Sequence, residues 1–531
     1  MNKKILSGAI AALMAVSCLA GCGNGSSSDS KDSSTTGGDS SNDTLVYAQG
    51  ADPRGLDPQI VDDGESAKVT NQIYEGLLQY EDDSTEVKAC LAKDWKVSDD
   101  GLVYTFYLQE GVKFHDGTDF NAEAVKFNVE RNTINKTEDM TYADFVWGYV
   151  DSCEVKDEYT VDITLKQPST PFLANLAMVF GAPMVSPTAA KDGDLMNNPV
   201  GTGPYKFVEW KKSQHVKLEA NEDYWNEDGK AQIKNVVIRT IEDASTKIIE
   251  LQSGNVDIID GIDTNQVAQL ESDSNITVSK TPGMNINYMA YNIERLDKET
   301  RVALSQAVNV EELVQALYSG YAEKATTVLP TFVPGYSADV TQVAYDPDAA
   351  KKTLEEKGIT SLHVITYTNP RPYNTVTGQT LTEAIQGYFS EVGVDITIDS
   401  YDWTTYKERT IAGDYDICFY GWSGDNGDPD NFLNLMSDTN AGMNVARFNL
   451  AKNADDKAAY EEYAKMISNA AKEPAGDSRN AMYAEMEQYV ADLAIWLPIS
   501  HQQDITACKS NVKNFKYHCT ATVKLFNVTK G

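Results

Sequence analysis

The stretch GWSGDNGDPDNF, Gly421 to Phe432, places the carboxylates Asp425, Asp428 and Asp430 within six residues, beside a tryptophan and between glycines. Carboxylates so spaced can ligate a hard cation, share acid and base work, hold a cationic ligand, or shape a turn. The cation reading fails on spacing. Counted from Asp425 the third position is Gly427, and counted from Asp428 the fifth is Phe432, so neither register gives the alternating oxygen ligands of a calcium loop. Glycoside hydrolysis needs a second placed carboxyl, which nothing in the chain singles out. Asp428 and Asp430 flank Pro429 in the manner of turn residues. Asp425, close to the flat face of Trp422, is the candidate for holding a cationic group on a small molecule.

The elements that must position these residues are legible in outline. YDICFYGW is an apolar run leading into the acidic stretch, and strand ends in open α/β sheets are where ligands bind. In YDPDAAKKTLEEKGI, Asp346 can cap a helix, Pro347 suits its first position and Gly358 can end it, with a strand expected over Ile359 to Tyr367. DASTKIIELQSGNVDII reads as a helix up to Ser253, terminated by Gly254, then a short buried strand over Val256 to Ile259. Asp100 and Gly101 separate two alternating runs as a hairpin does, and YTVDITLKQP alternates Val161, Ile163 and Leu165 with polar neighbours as a half-buried strand. Helices and strands interleave, so the fold class is α/β.

A chain of 531 residues with 41% hydrophobic content can bury several cores and should form two or three domains. Its 79 acidic residues outnumber 45 basic ones, for a formal charge of −34, which argues against a nucleic-acid partner and suits a solvated surface. The N-terminus has Lys3 and Lys4, an apolar run from Ile5 to Ala20 and then small residues, which is an export signal. Within it LAGC, Leu19 to Cys22, resembles the lipobox of bacterial lipoproteins, making Cys22 the expected lipidated residue and Cys18 incidental. Residues 23 to 43 lack apolar side chains and read as a flexible tether. No later run is long and apolar enough to span a bilayer. Of the remaining cysteines, Cys508 and Cys519 are the pair that could bridge.

Enzyme motifs are missing. GTGPYK, Gly201 to Lys206, has neither the third glycine of a dinucleotide fingerprint nor the ending of a phosphate loop, and reads as a turn opening a strand. There is no nucleophile elbow and no zinc-binding helix. His115, His215, His363, His501 and His518 are scattered singly, so no metal site, catalytic residue or cofactor is expected.

Taken in order, LAKDWKVSDDGLVYTFYLQEGVKFHDGTDFNAEAVKFNVER, NPVGTGPYKF, NEDYW and RVALSQAVN resemble the family 5 extracellular solute-binding proteins of ABC importers over nearly the whole mature chain. NPRPYN, Asn369 to Asn374, and GWSGDNGDPDNF are most similar to the dipeptide-binding group. That resemblance implies a type 2 periplasmic-binding fold, two α/β lobes joined by a hinge, with an extra inserted domain. It places lobe I in residues 44–77, 201–282 and 501–531, the insertion in 78–200 and lobe II in 283–500.

The resemblance further implies that Arg371 holds a peptide's terminal carboxylate and Asp425 its ammonium, with Tyr373 and Trp422 lining the pocket. Arginine offers a planar donor fork to a carboxylate, and an aspartate accepts from an ammonium, so a zwitterion desolvated in a cleft finds a partner at each end. The implied protein is a monomer, lipid-anchored on the outer face of the cytoplasmic membrane, that delivers short peptides to a permease with separate ATPases. Longer peptides, glutathione, haem or nickel chelates are alternative ligands within the family, and a secreted hydrolase is the alternative outside it.

Overall fold

The computed structural model describes residues 43–531, so Cys22 and the signal segment lie outside the described residues. A 12-stranded sheet runs through the molecule, and its middle member is the long strand Trp496–Lys509. The first half of that strand pairs antiparallel with Asn285–Tyr291 and Ala322–Lys324, and the second half with Ile258–Ile259 and Ile276–Pro282. One lobe is built on each half. On the lobe II side the order continues through Ile417–Ser423 and Ser361–Tyr367 to Asp395–Tyr401, and on the lobe I side through Thr44–Gln49 to Asn235–Thr240 and beyond.

The second crossing between lobes lies beside the first. Gly283 N donates to Gln502 O at 3.0 Å, Asn285 Nδ2 donates to the same oxygen at 3.1 Å, and Gln502 N donates to Asn285 Oδ1 at 2.7 Å. Two crossings hydrogen-bonded side by side make a narrow hinge, the geometry that hinge closure requires.

Local signals explain most element boundaries. The helix Pro347–Glu356 is capped by Asp346, whose side chain accepts from Ala349 N. It ends with Gly358 at φ 68°, Gly358 N donating to Glu355 O and Ile359 N to Leu354 O. This closing motif uses the Ile359 N–H, so the following strand spans Ser361–Tyr367 and starts later than expected. The same motif after the helix Ala244–Gln252, with Asn255 N donating to Glu250 O, shortens the next strand to Ile258–Ile259. The Asp100–Gly101 hairpin is present between Ala92–Val97 and Val103–Leu108, with Gly101 at φ 70°. It belongs to a separate four-stranded antiparallel sheet that includes Thr160–Leu165, where Val161, Ile163 and Leu165 are buried.

Each part has its own core. One cluster lies within residues 284–499, a second within 77–184, a third joins Leu45, Tyr47 and Ile238 to Val523 and Leu525, and a fourth, on the same lobe, joins Ala48, Ile248 and Ile259 to Ile505 and Ala507. Cys508 and Cys519 do not bridge: both are free thiols. The sheet register holds Cys508 opposite Ile258 and Thr277, whereas Cys519 is fixed by its carbonyl, which accepts from Met284 N at 3.0 Å, so the backbones keep the two apart.

Candidate functional site

Ser361–Tyr367 and Ile417–Ser423 are parallel neighbours, with Val364 opposite Ile417 and Ile365 opposite Cys418. NPRPYN follows the C-terminal end of the first and the acidic stretch follows the second, so both motifs emerge at one edge of lobe II.

Arg371 and Asn374 form a closed turn, each backbone N–H donating to the other's carbonyl at 2.9 and 2.8 Å. Asn374, fully buried, fixes this turn to the lobe: its Oδ1 accepts from Tyr318 Oη at 2.8 Å and its Nδ2 donates to Tyr367 Oη at 2.9 Å. The Arg371 guanidinium lies over the Trp403 ring, 4.0 Å from its centroid, and its buried Nε has no hydrogen-bond partner among the described residues. No carboxylate among those residues is within ion-pair range of it. Tyr373 is 5% exposed and stacks on Tyr420 with ring centroids 6.4 Å apart, and its buried hydroxyl has no partner among the described residues. Burial drives that hydroxyl's pKa up, with the Arg371 charge acting against the shift.

The acidic stretch is organised by Asn431. Its Oδ1 accepts from Trp422 Nε1 at 2.8 Å and from Asp425 N at 3.0 Å, which sets the indole and the aspartate side by side. Asp425 Oδ1 accepts from Tyr142 Oη at 2.8 Å, and its Oδ2 meets Asn431 Nδ2 at 3.4 Å. Both donors are neutral. Burial raises the Asp425 pKa, and these two hydrogen bonds only partly offset it. Tyr142 comes from the part of the chain that carries the four-stranded sheet, and Gly427 is locked to that same part. Thr85 Oγ1 donates to Gly427 O at 3.0 Å, and a Cβ on Gly427 would lie 1.9 Å from Thr85 Cβ.

Asp428 has a different role. It is 6% exposed and paired bidentately with Arg479, both contacts at 2.7 Å, and its Oδ1 also accepts from Asp430 N at 2.9 Å. It therefore shapes the turn and anchors it in lobe II. The neighbouring Asp430 carboxyl is pushed up to about 7, first by burial and then by the Asp428 charge.

Trp422 and Asp425 line a cavity of about 700 Å³ together with Phe145, Asp430 and Asn431. Arg371 and Tyr373 are not on its walls. The two motifs meet instead through the Tyr373 ring, which lies so close on Gly421 that a Cβ there would be 2.2 Å from Tyr373 Cδ2. Sequence reasoning missed Asn431, although it lies within the acidic stretch. It also missed Trp403, Tyr142 and Arg479, which no local spacing connects to the site.

Two lobes on one sheet, two hinge crossings and charged groups at a strand-end edge define a two-lobed solute-binding protein. The model for bacterial extracellular solute-binding proteins, family 5, matches residues 86–444. Heme-binding protein A of Haemophilus influenzae is 31% identical, covering 94% of each chain. The dipeptide-binding protein of Escherichia coli is 30% identical, covering 89% of this chain and 92% of that one. The structure of HbpA2 from Haemophilus parasuis matches with a TM-score of 0.84 at 28% identity, covering 92% of this chain and 100% of that one. The chain belongs to the family 5 bacterial extracellular solute-binding proteins.

Proposed function

We propose that this protein captures dipeptides with free termini, Arg371 taking the carboxylate and Asp425 the ammonium. The observation that carries the reading is a contrast between charges that are paired and charges, half-buried at the edge of lobe II, that are not. Arg301 is paired with Asp456 at 2.9 and 3.1 Å, and Arg479 with Asp428 at 2.7 Å, so lobe II satisfies its structural charges internally. Among the described residues Arg371 stacks on an aromatic face with no carboxylate partner, and Asp425 has only neutral donors. Opposite charges held at one sheet edge without counter-ions among the described residues complement a zwitterion, because enclosing either charge unpaired is costly. The E. coli relative named for dipeptide binding supports this ligand class.

Capture involves no chemistry on the ligand. Closure of the lobes about the hinge presents bound peptide to a permease with separate ATPase subunits, and the protein acts as a monomer anchored at the membrane surface through lipid on Cys22. Tyr373 and Trp422 serve as apolar walls next to the two charges. The domain limits adopted are those expected from the sequence; the clusters within 284–499 and 77–184 support lobe II and most of the insertion, although Val185 and Leu195 pack into the lobe I core. A haem-type ligand is the second reading, favoured by the H. influenzae relative.

Calorimetric titration with Ala-Ala, N-acetyl-Ala-Ala and haemin tests the assignment. Ala-Ala is expected to bind and its acetylated form to bind far more weakly. Equal affinity for the two would remove Asp425 from the site, and binding of haemin alone would replace the peptide reading.

A further inference from the structure

A second cavity, of about 500 Å³, adjoins the Arg371 turn on the lobe I side. Pro372 and Thr375 form one wall, while Lys68, Lys247, Asp260 and Asp504 contribute to the other. The turn is tied to this wall directly, since Thr375 Oγ1 donates to Gln502 Oε1 at 3.0 Å. Gln502 and Asp504 are two apart on the crossing strand, so their side chains leave the same face of it. The Asp504 carboxyl is thereby aimed at the space beside the Arg371 turn.

The charges around this cavity do not balance. Five carboxylate residues and two lysines line it. Both lysines are already engaged: Lys68 pairs with Asp260 and, at 3.1 Å, with Glu65, while Lys247 Nζ lies 3.5 Å from Asp260 Oδ1. Tyr47 Oη adds a hydrogen bond to Asp260 at 2.7 Å. Asp504, by contrast, has neither a hydrogen-bond donor nor an ion-pair partner for its carboxyl among the described residues. It is partly exposed at the cavity wall, yet enclosed enough that burial pushes the carboxyl up to about 7, with Lys68 acting against the shift and Asp260 with it. A carboxylate in that position gains from any cation brought to it.

We propose that this cavity receives the side chain of the ligand's C-terminal residue and that Asp504 makes a lysine or arginine preferred there. The inference rests on the reading that Arg371 holds the terminal carboxylate: the residue so held has its side chain next to the Arg371 turn, which is where the cavity lies. Asp504 then acts as a specificity residue: Glu242 and Asp263 also line the cavity without a carboxyl partner among the described residues, but both are exposed, whereas Asp504 is partly enclosed on the crossing strand next to the Arg371 turn.

The test is calorimetry on the purified protein with Ala-Ala, Ala-Lys and Lys-Ala, repeated on Asp504→Asn. Wild type is expected to bind Ala-Lys about tenfold more tightly than Ala-Ala, the gain of one charge-assisted hydrogen bond, and to show no such gain for Lys-Ala. In Asp504→Asn the ratio of Ala-Lys to Ala-Ala affinity should fall to about one. Equal wild-type affinities for Ala-Lys and Ala-Ala would overturn the proposal, as would a ratio that survives the substitution. An Asp504-dependent gain for Lys-Ala would overturn the C-terminal placement. Failure of all three peptides to bind wild type would sink the peptide reading and this proposal with it, whereas Ala-Ala binding without the lysine preference sinks only the subsite. The wild-type series stands by itself if the variant does not fold.

Discussion

Replacing Asp425 by asparagine removes one charge and little else. Tyr142 Oη can still donate to Oδ1, the Asn431 contact at 3.4 Å is already long, and the side chain keeps its shape. The bound peptide would lose the counter-charge of its ammonium in a buried position. Breaking such a pair typically costs roughly 3–5 kcal/mol, which is about two to nearly four decades in Kd. The effect on the ligand-free fold has the opposite sign. Burial holds the folded Asp425 carboxyl above its ordinary value of 3.8, so the folded state binds this proton more tightly than the unfolded chain does. Its favourable contribution is complete below the ordinary value and is lost as pH rises through the raised one. At neutral pH the ionised group is thus a burden on the free protein, and the asparagine should raise the thermal midpoint there while changing it least in acid. Titration with Ala-Ala and thermal unfolding at neutral and acid pH, on both proteins, read the two effects. An Ala-Ala affinity within about threefold of wild type would refute the ligand role, and a loss of stability at neutral pH would make Asp425 structural.

Three further expectations follow from the same contacts. Arg371→Lys keeps the charge but loses the donor fork and the stack on Trp403, so Ala-Ala affinity should fall about 10- to 100-fold by calorimetry while the unfolding midpoint in denaturant moves little. Arg479→Met leaves Asp428 buried without its bidentate partner and should cost roughly 3–5 kcal/mol in a denaturant titration; a change near zero would show that Asp428 needs no partner. Gly427→Ala forces a methyl group against Thr85 and should weaken both stability in a denaturant titration and Ala-Ala affinity by calorimetry; unchanged values would show that the contact can relax.

The sequence by itself determined the local structure. Asp346, Gly358, Gly254 and the Asp100–Gly101 pair punctuate the chain where their backbone chemistry requires it, and the alternation of Val161, Ile163 and Leu165 selects the buried face of a strand. These signals act over a few residues, so spacing records them. The same locality explains the small errors. Ile359 and Asn255 give their N–H groups to the preceding helix, and the strands after them begin later than apolar content alone suggests.

What Arg371 and Asp425 can do was decided by tertiary structure, because a charge is available to a ligand only if folding brings it no partner of its own. Asp428 and Asp425 are alike in sequence, yet among the described residues Arg479 reaches the first across 51 residues and only Tyr142 and Asn431 reach the second. Trp403, Tyr142 and Asp504 are drawn to their places by sheet pairing and lobe contact between distant segments. Burial then sets the energy of each charge, and burial depends on everything packed around a residue, which no short stretch of sequence contains.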